Sequence, residues 1–187
     1  SLLIPHTDYA ISKMEAERGL QDISKASGME SVIIRPPLVY AGHAPGNFQL
    51  LLRLVASGLP LPFGRIKNER SMIALENLID LISLCIDHPA AANQTFLVSD
   101  GIDLSTPEII RYLAEGMGRN ARLFPAPDLL MRGGAALLGK ETAYSQLCGS
   151  LTIDSAKARR LLAWEPPAVP ADALLKAGQD YISMQFR

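Results

Sequence analysis

Little in this chain would staple, tether or charge it. Two cysteines in 187 residues, Cys85 and Cys148, form no C-x-x-C pair and sit among apolar neighbours. That excludes a disulfide framework and suits ordinary buried thiols in a reducing cytoplasm. The longest apolar stretches, "LLRLVASGLPLPF" and "LLMRGGAALLG", are broken by Arg, Pro or Gly and fall short of the roughly 20 apolar residues a membrane helix needs, so no membrane span is expected. Lys plus Arg number 18 against 19 for Asp plus Glu, a net charge of -1, so no overall positive field draws the chain to nucleic acid or anionic lipid. His6, His43 and His88 lack tight spacing with Asp, Glu or Cys, so loop or helix-end roles outweigh a metal site; His6, close to Tyr9, could approach a cleft. There is no G-x-S-x-G elbow of a serine hydrolase, and Cys85 inside "LIDLISLCIDH" belongs to a core face rather than to nucleophilic catalysis. The opening "SLLIPHTDY" has neither the basic start nor the cleavage site of a secretory signal.

What is present is core-forming: 48% of the residues are hydrophobic and 20% charged, values of a packed globular protein rather than a disordered one. Apolar or small residues at Ile11, Met14, Leu20 and Ile23 predict a helix from Asp8 to about Ala26, ending near Gly28. The β-branched run Val32, Ile33, Ile34 predicts a buried strand that Pro36 and Pro37 terminate. Helix, glycine, strand and loop make the end of a βαβ-type unit. Further helices are predicted over "GNFQLLLRLVASG", "ALENLIDLISLCIDH", "STPEIIRYLAEGMG" with Ser105 or Thr106 as N-cap, "PDLLMRGGAALLG", "DSAKARRLLAWEP" and "PADALLKAGQDYISM". "NQTFLVSDG" reads as a strand, and "LPLPFG" as a short edge strand or lining loop. The second half of the chain is thus expected to be mostly helical. Asp154 and Ser155 read as helix caps; Lys157, Arg159 and Arg160 read as a helix surface.

The segment "Y-A-I-S-K" carries the chemistry. On a helix, Tyr9 and Lys13 share one face one turn apart, and a neighbouring ammonium favours the phenolate form of a tyrosine. Such a pair could exchange a proton with a substrate hydroxyl; it also serves as an ordinary surface pair. Its context decides between them. The helix is followed by "GMESVIIRPPLVYAG", an Asn-bearing helix start, "LPLPFG" and "ERSMIALENLIDLI", and later by "LTIDSAKARRLLAWEP". This succession resembles the extended short-chain dehydrogenase/reductase family in its NAD-dependent epimerase/dehydratase branch. The nearer likeness is to UDP-sugar 4-epimerases and 4-keto reductases of bacterial polysaccharide biosynthesis.

That resemblance implies an α/β fold, roles for individual residues, and a cofactor. Tyr9 would be the proton-transfer residue and Lys13 its cofactor-binding partner, with Pro36 where the chain passes the nicotinamide. Asn47 in "P-G-N-F" would meet the diphosphate of a nucleotide sugar, its simpler role being that of an N-cap. Leu61 and Phe63 would pack along the uracil, though core packing would explain Phe63 as well. Arg70 would clamp the diphosphate with its planar guanidinium, against the alternative of a solvated surface arginine. Two positions depart from the family pattern: Leu38 stands where a polar asparagine is common, and Ala41 holds the glycine place of a Tyr-Gly turn, with Gly42 next to it supplying flexibility.

A dinucleotide-binding domain normally opens with a strand, a glycine-rich turn and a helix, and no such turn precedes Tyr9; "RGGAALLG" lacks the pattern and reads better as a helix interruption. The expectation is therefore the C-terminal part of a Rossmann-like extended reductase fold with a smaller, mostly helical substrate-binding domain and the N-terminal glycine-rich nucleotide-binding unit absent. Residues 1–40 would hold the terminal Rossmann elements and 41–187 mainly the sugar-nucleotide region. The activity implied is NAD-dependent 4-epimerisation of a UDP-hexose or UDP-N-acetylhexosamine through a 4-keto intermediate. A UDP-4-keto-sugar reductase and a noncatalytic binding or assembly module are the alternatives. NAD is expected in the whole enzyme and hardly at all on this chain alone, with no metal. The partners expected are a UDP-sugar and, through the Tyr-Lys helix, a second copy.

Overall fold

The computed structural model describes residues 8–137, 139 and 141–185, with Tyr9 described by its backbone alone; the readings made for Ser1 and His6 fall outside these residues. The chain runs through helix α1 (Asp8–Ser27), strands β1 (Val32–Arg35) and β2 (Leu38–Tyr40), helix α2 (Asn47–Ala56), strand β3 (Met72–Ala74), helix α3 (Leu75–Asp87), a 3-10 turn (Pro89–Ala91) and strand β4 (Gln94–Leu97). Five helices follow: α4 (Thr106–Gly116), α5 (Asp128–Leu137), α6 (Glu141–Cys148), α7 (Ala156–Leu162) and α8 (Pro170–Gln185).

β1 pairs in parallel with β4, Val32 opposite Gln94 and Arg35 opposite Leu97. β2 pairs in parallel with β3, Leu38 opposite Met72 and Tyr40 opposite Ala74. Pro36 and Pro37 divide β1 from β2, since neither can donate to a ladder, and the chain changes sheet there. A parallel pair needs a long crossover, and α2 and α3 lie in the segments that provide it. The α/β elements thus occupy the N-terminal side of the described chain, to residue 97, and helices make up the rest. This corrects the expected picture of a tail end of a Rossmann-like fold: the parallel pairs β1–β4 and β2–β3 place the α/β region on the N-terminal side of the described residues.

Two apolar cores result. One gathers Tyr40, Phe48, Leu52, Leu113 and Leu174 between β2, α2, α4 and α8. The other gathers Ile73, Leu81, Phe96, Leu162 and Trp164 between β3, α3, β4 and α7. α4 begins with a capping box, as its Ser-x-x-Glu sequence dictates: Glu108 accepts from the Ser105 backbone N–H at 2.8 Å. α4 and α8 cross closely at two glycines. A Cβ on Gly116 would stand 2.0 Å from the Leu175 carbonyl oxygen, and one on Gly178 2.4 Å from that of Leu113. Gly42 meets the same constraint, since a Cβ there would lie 2.6 Å from Asp180 Cβ on α8. The place is kept small by packing, where the sequence suggested flexibility. α5 runs unbroken through Gly133 and Gly134, so the expected interruption there is absent.

One polar cluster joins these parts. The buried Asp100 carboxylate, just past β4, accepts from Tyr40 Oη on β2 at 2.7 Å. It also accepts from Asn77 Nδ2 on α3 at 2.7 Å and from the Ala74 backbone N–H on β3 at 3.0 Å. Asn77 continues to the Ala168 carbonyl before α8, at 2.9 Å. Burial pushes the Asp100 carboxyl above the usual carboxylate range, while the donors from Asn77, Tyr40 and Ala74 pull it back. Burial, with the Asp100 charge beside it, raises Tyr40 far above an ordinary phenol, so Tyr40 remains a donor. Replacing Asp100 by Ala strands three buried donors at once and should cost about 3 kcal/mol of stability, read from urea denaturation. A loss under about 1 kcal/mol would show that the cluster does not join the two cores.

Candidate functional site

Three groups of sequence-predicted residues fall in different places. Tyr9 and Lys13 lie in the first two turns of α1, where Lys13 is exposed. Pro36 is exposed directly after β1. The C-terminal end of β1 is where an open parallel sheet takes its ligand, so α1 and Pro36 belong to one edge of the fold. α1 is fixed to that edge by a forked ion pair: Arg35, the last residue of β1, donates through Nε to Glu17 Oε1 at 2.9 Å and through Nη2 to Oε2. Glu17 lies one turn beyond Lys13, so the pair sets the height of the Tyr-Lys turn against the strand.

Asn47 and Arg70 meet. Both line one cavity of about 440 Å³ together with Leu38, Thr106, Gln146 and Leu147. Asn47 opens α2, and Arg70 is half-buried on the segment leading to β3. Arg70 is held through its backbone, its N–H donating to the Leu104 carbonyl at 3.0 Å and its own carbonyl accepting from Leu104 at 3.1 Å. Its Nη1 donates to the Gly149 carbonyl at 2.9 Å. Burial pulls the guanidinium below its usual value, and among the described residues no carboxylate pairs with it. A cation kept from water without a counter-charge is prepared for an anion.

A larger cavity, about 610 Å³, lies between α5 and α6 and contains Arg132, Tyr144 and Glu141. Its arginine already pairs with Asp128 at 2.8 Å, so the uncompensated cation belongs to the smaller one. Leu61 and Phe63 are buried and line neither cavity. Leu61 exchanges backbone hydrogen bonds with Arg122 and Phe124, at 2.8 and 3.0 Å, and Phe63 bridges to Pro125. Their backbone is committed to the 122–125 segment. Thr106, Gln146 and Leu147 are cavity residues that the sequence did not single out. Thr106 was legible as a helix start, whereas α6, which carries the other two, has no strong apolar face to reveal it. Among the described residues, no group of three or more His, Cys, Asp or Glu is placed to hold a metal ion, and no helix is long and apolar enough to cross a membrane.

The Arg35 guanidinium, by its hydrogen bond and charge, holds the Glu17 carboxyl below the usual carboxylate range against the opposing effect of burial. A depressed folded value stabilises the fold above the unfolded carboxylate range and ceases to do so as pH falls through it. Glu17→Gln should therefore cost roughly 0.5–1 kcal/mol at neutral pH, the range for a screened, partly exposed pair. The urea midpoints of variant and wild type should converge as pH falls through and below the ordinary carboxylate range. A constant gap across that range would remove the pair from the anchoring of α1.

Comparison with known proteins accords with this arrangement. Residues 2–99 match the model of the NAD dependent epimerase/dehydratase family. The chain is 42% identical over 184 residues to the UDP-glucose 4-epimerase of Vibrio cholerae, covering 98% of this chain and 56% of that protein; it thus spans little more than half of that relative's length. In fold it is similar to the UDP-N-acetylglucosamine 4-epimerase of Bacillus cereus, at TM-score 0.73 and 16% identity over 97% of this chain and 57% of the other. The UDP-glucuronic acid 4-epimerase of Bacillus cereus in complex with NAD gives TM-score 0.73 at 21% identity, over 99% and 54%. The family match also overturns the expected fold class. It covers residues 2–99, so the Rossmann-like region is the N-terminal side of this chain with a helical part after it, in place of the expected C-terminal remnant. With more than half of its length matched, the chain belongs to the NAD-dependent epimerase/dehydratase family.

Proposed function

We propose that the protein carrying this chain is a nucleotide-sugar 4-epimerase that acts on a UDP-hexose or UDP-N-acetylhexosamine through a 4-keto intermediate. The observation that supports it best is the half-buried Arg70, without a carboxylate partner among the described residues, sharing a cavity with Asn47. A diphosphate supplies the anionic oxygens that such a fork accepts. The Vibrio cholerae relative is named for this chemistry.

On this reading Tyr9 takes the proton from the sugar 4-hydroxyl and later returns it. Lys13, one helical turn away on α1, favours the phenolate and donates to the cofactor ribose. Bound NAD supplies the hydride acceptor and donor that this reaction needs. The residues of this chain fit such a group on the β1 edge: the exposed Lys13 ammonium on α1 and the exposed Pro36 past the strand end. Arg70 and Asn47 hold the diphosphate and leave the sugar free to turn. The apolar residues Ile11, Leu20 and Ile23 exposed on α1 support pairing with a second copy, and the free thiols of Cys85 and Cys148 suit a cytoplasmic setting.

The test is interconversion of UDP-glucose and UDP-galactose, and of their N-acetylated counterparts, by the complete protein supplied with NAD. Tyr9→Phe should lower kcat by about 100-fold or more while leaving the Kd for the UDP-sugar nearly unchanged. Unchanged turnover in that variant would remove Tyr9 from the mechanism. Reduction of a UDP-4-keto sugar without interconversion would make the protein a reductase instead.

A further inference from the structure

We infer that Asn68 is a positioning residue that aims Arg70 at the diphosphate by fixing the carbonyl on which the guanidinium rests; the inference builds on the proposed reading of the Asn47–Arg70 cavity. Asn68 is 5% exposed, and its amide is used on both sides. Nδ2 donates to the Gly149 carbonyl at 3.0 Å, to the Leu147 carbonyl at 3.1 Å and to Thr106 Oγ1 at 3.0 Å. Oδ1 accepts from the Thr106 backbone N–H at 2.9 Å.

The Gly149 carbonyl is therefore shared. It accepts from Asn68 Nδ2 and from Arg70 Nη1, so the amide and the guanidinium converge on one oxygen just past the end of α6. The flanking backbone completes the clamp. Leu151 N–H donates to the Glu69 carbonyl and Ser71 N–H to the Leu151 carbonyl, both at 2.8 Å. α6 supplies Gln146 and Leu147 to the cavity wall, and the carbonyls of Leu147 and Gly149 are the acceptors Asn68 holds. One side chain thus fixes both the wall and the rest of the arginine.

The residue type follows from this duty. Only an amide places two N–H groups against a row of acceptors while its oxygen takes a backbone N–H. Aspartate would set a negative oxygen against two carbonyls, and alanine would leave the Gly149 oxygen held by Arg70 Nη1 alone and the Leu147 oxygen by Thr106 Oγ1 alone among side-chain donors. In either case the Arg70 fork loses its fixed rest, although Asn68 itself does not line the cavity. Such preorganisation is what makes a charged fork selective for a bidentate anion.

The experiment is calorimetric titration of the complete protein with UDP and, separately, with uridine, for wild type, Asn68→Ala, Arg70→Leu and the double variant. Asn68→Ala should weaken UDP by about tenfold, on the scale of one misaligned charged hydrogen bond, with uridine unchanged. In steady-state assays the loss should appear in KM for the UDP-sugar with kcat held. In the Arg70→Leu background the Asn68 substitution should cost less than about twofold, the non-additivity of a residue acting through another. Equal losses in both backgrounds, or equal losses for UDP and uridine, would overturn the inference. Should Asn68→Ala fail to fold, Thr106→Val, which keeps the shape and removes one partner of the amide, should still weaken UDP by about threefold; no change in that variant would also overturn it. A wild type that binds UDP no better than uridine would overturn the reading of the cavity itself, whereas a loss in Arg70→Leu without one in Asn68→Ala would overturn the role of Asn68 alone.

Discussion

The fold depends on a single buried carboxylate. Asp100 lies just beyond β4, and its three donors come from β2, β3 and α3. Among the described residues no strand is longer than four residues, and each sheet has two strands. Sheets this small are not stable on ladder bonds alone. The Asp100 cluster couples the β1–β4 pair to the β2–β3 pair at the point where the chain has changed sheet across Pro36 and Pro37. Through Asn77 it also holds the stretch before α8, whose packing on α4 closes the first core. The burial of a charge is costly, but here the donors are distributed over every element that has to be held.

That coupling determines where the functional groups stand. α1 and its Tyr-Lys turn are attached to β1 through Arg35 and Glu17. Arg70 leads into β3, two residues before Met72, and α2 with Asn47 follows β2. The Tyr-Lys turn and the Asn47–Arg70 pair are therefore attached to different sheets, which the Asp100 carboxylate joins. A shift of one sheet against the other would move the Tyr-Lys turn of α1 relative to the Arg70 fork without disturbing either locally.

Helices with clear punctuation were legible in the sequence. α4 was announced by Ser105 or Thr106 as its N-cap, and α2 and α3 by their apolar spacing. β2 and β3 were not, because three residues make no local pattern and each exists by pairing with a partner more than 30 positions away. β3 also runs directly into α3, where Ala74 supplies no side-chain cap, so no break marks the boundary. α6 was hidden for a different reason: its residues lie against loop carbonyls and a cavity, so burial follows no helical period. Asn47 and Arg70 were found through resemblance to a family, and their shared cavity is a product of the tertiary fold. Asn68 had no signal at all. In "KNER" it looks like one more polar loop residue, and its partners at Leu147 and Gly149 are about 80 positions on.

Three arginines differ in how their charge is met. Arg35 and Arg132 each meet a carboxylate, Glu17 and Asp128, and their charge is spent within the protein. Arg70 meets the Gly149 carbonyl oxygen instead. A carbonyl directs a guanidinium as well as a carboxylate does but leaves its charge nearly whole. Orientation without neutralisation has a cost in a half-buried place, visible in the direction in which burial moves Arg70. The folded chain offsets it with backbone bonds to Leu104 and the clamp around Gly149, and a bound anion would offset it more fully. The pattern to seek in related chains is therefore an arginine whose fork rests on a carbonyl that another amide has fixed. There, positive charge has been aimed and left available.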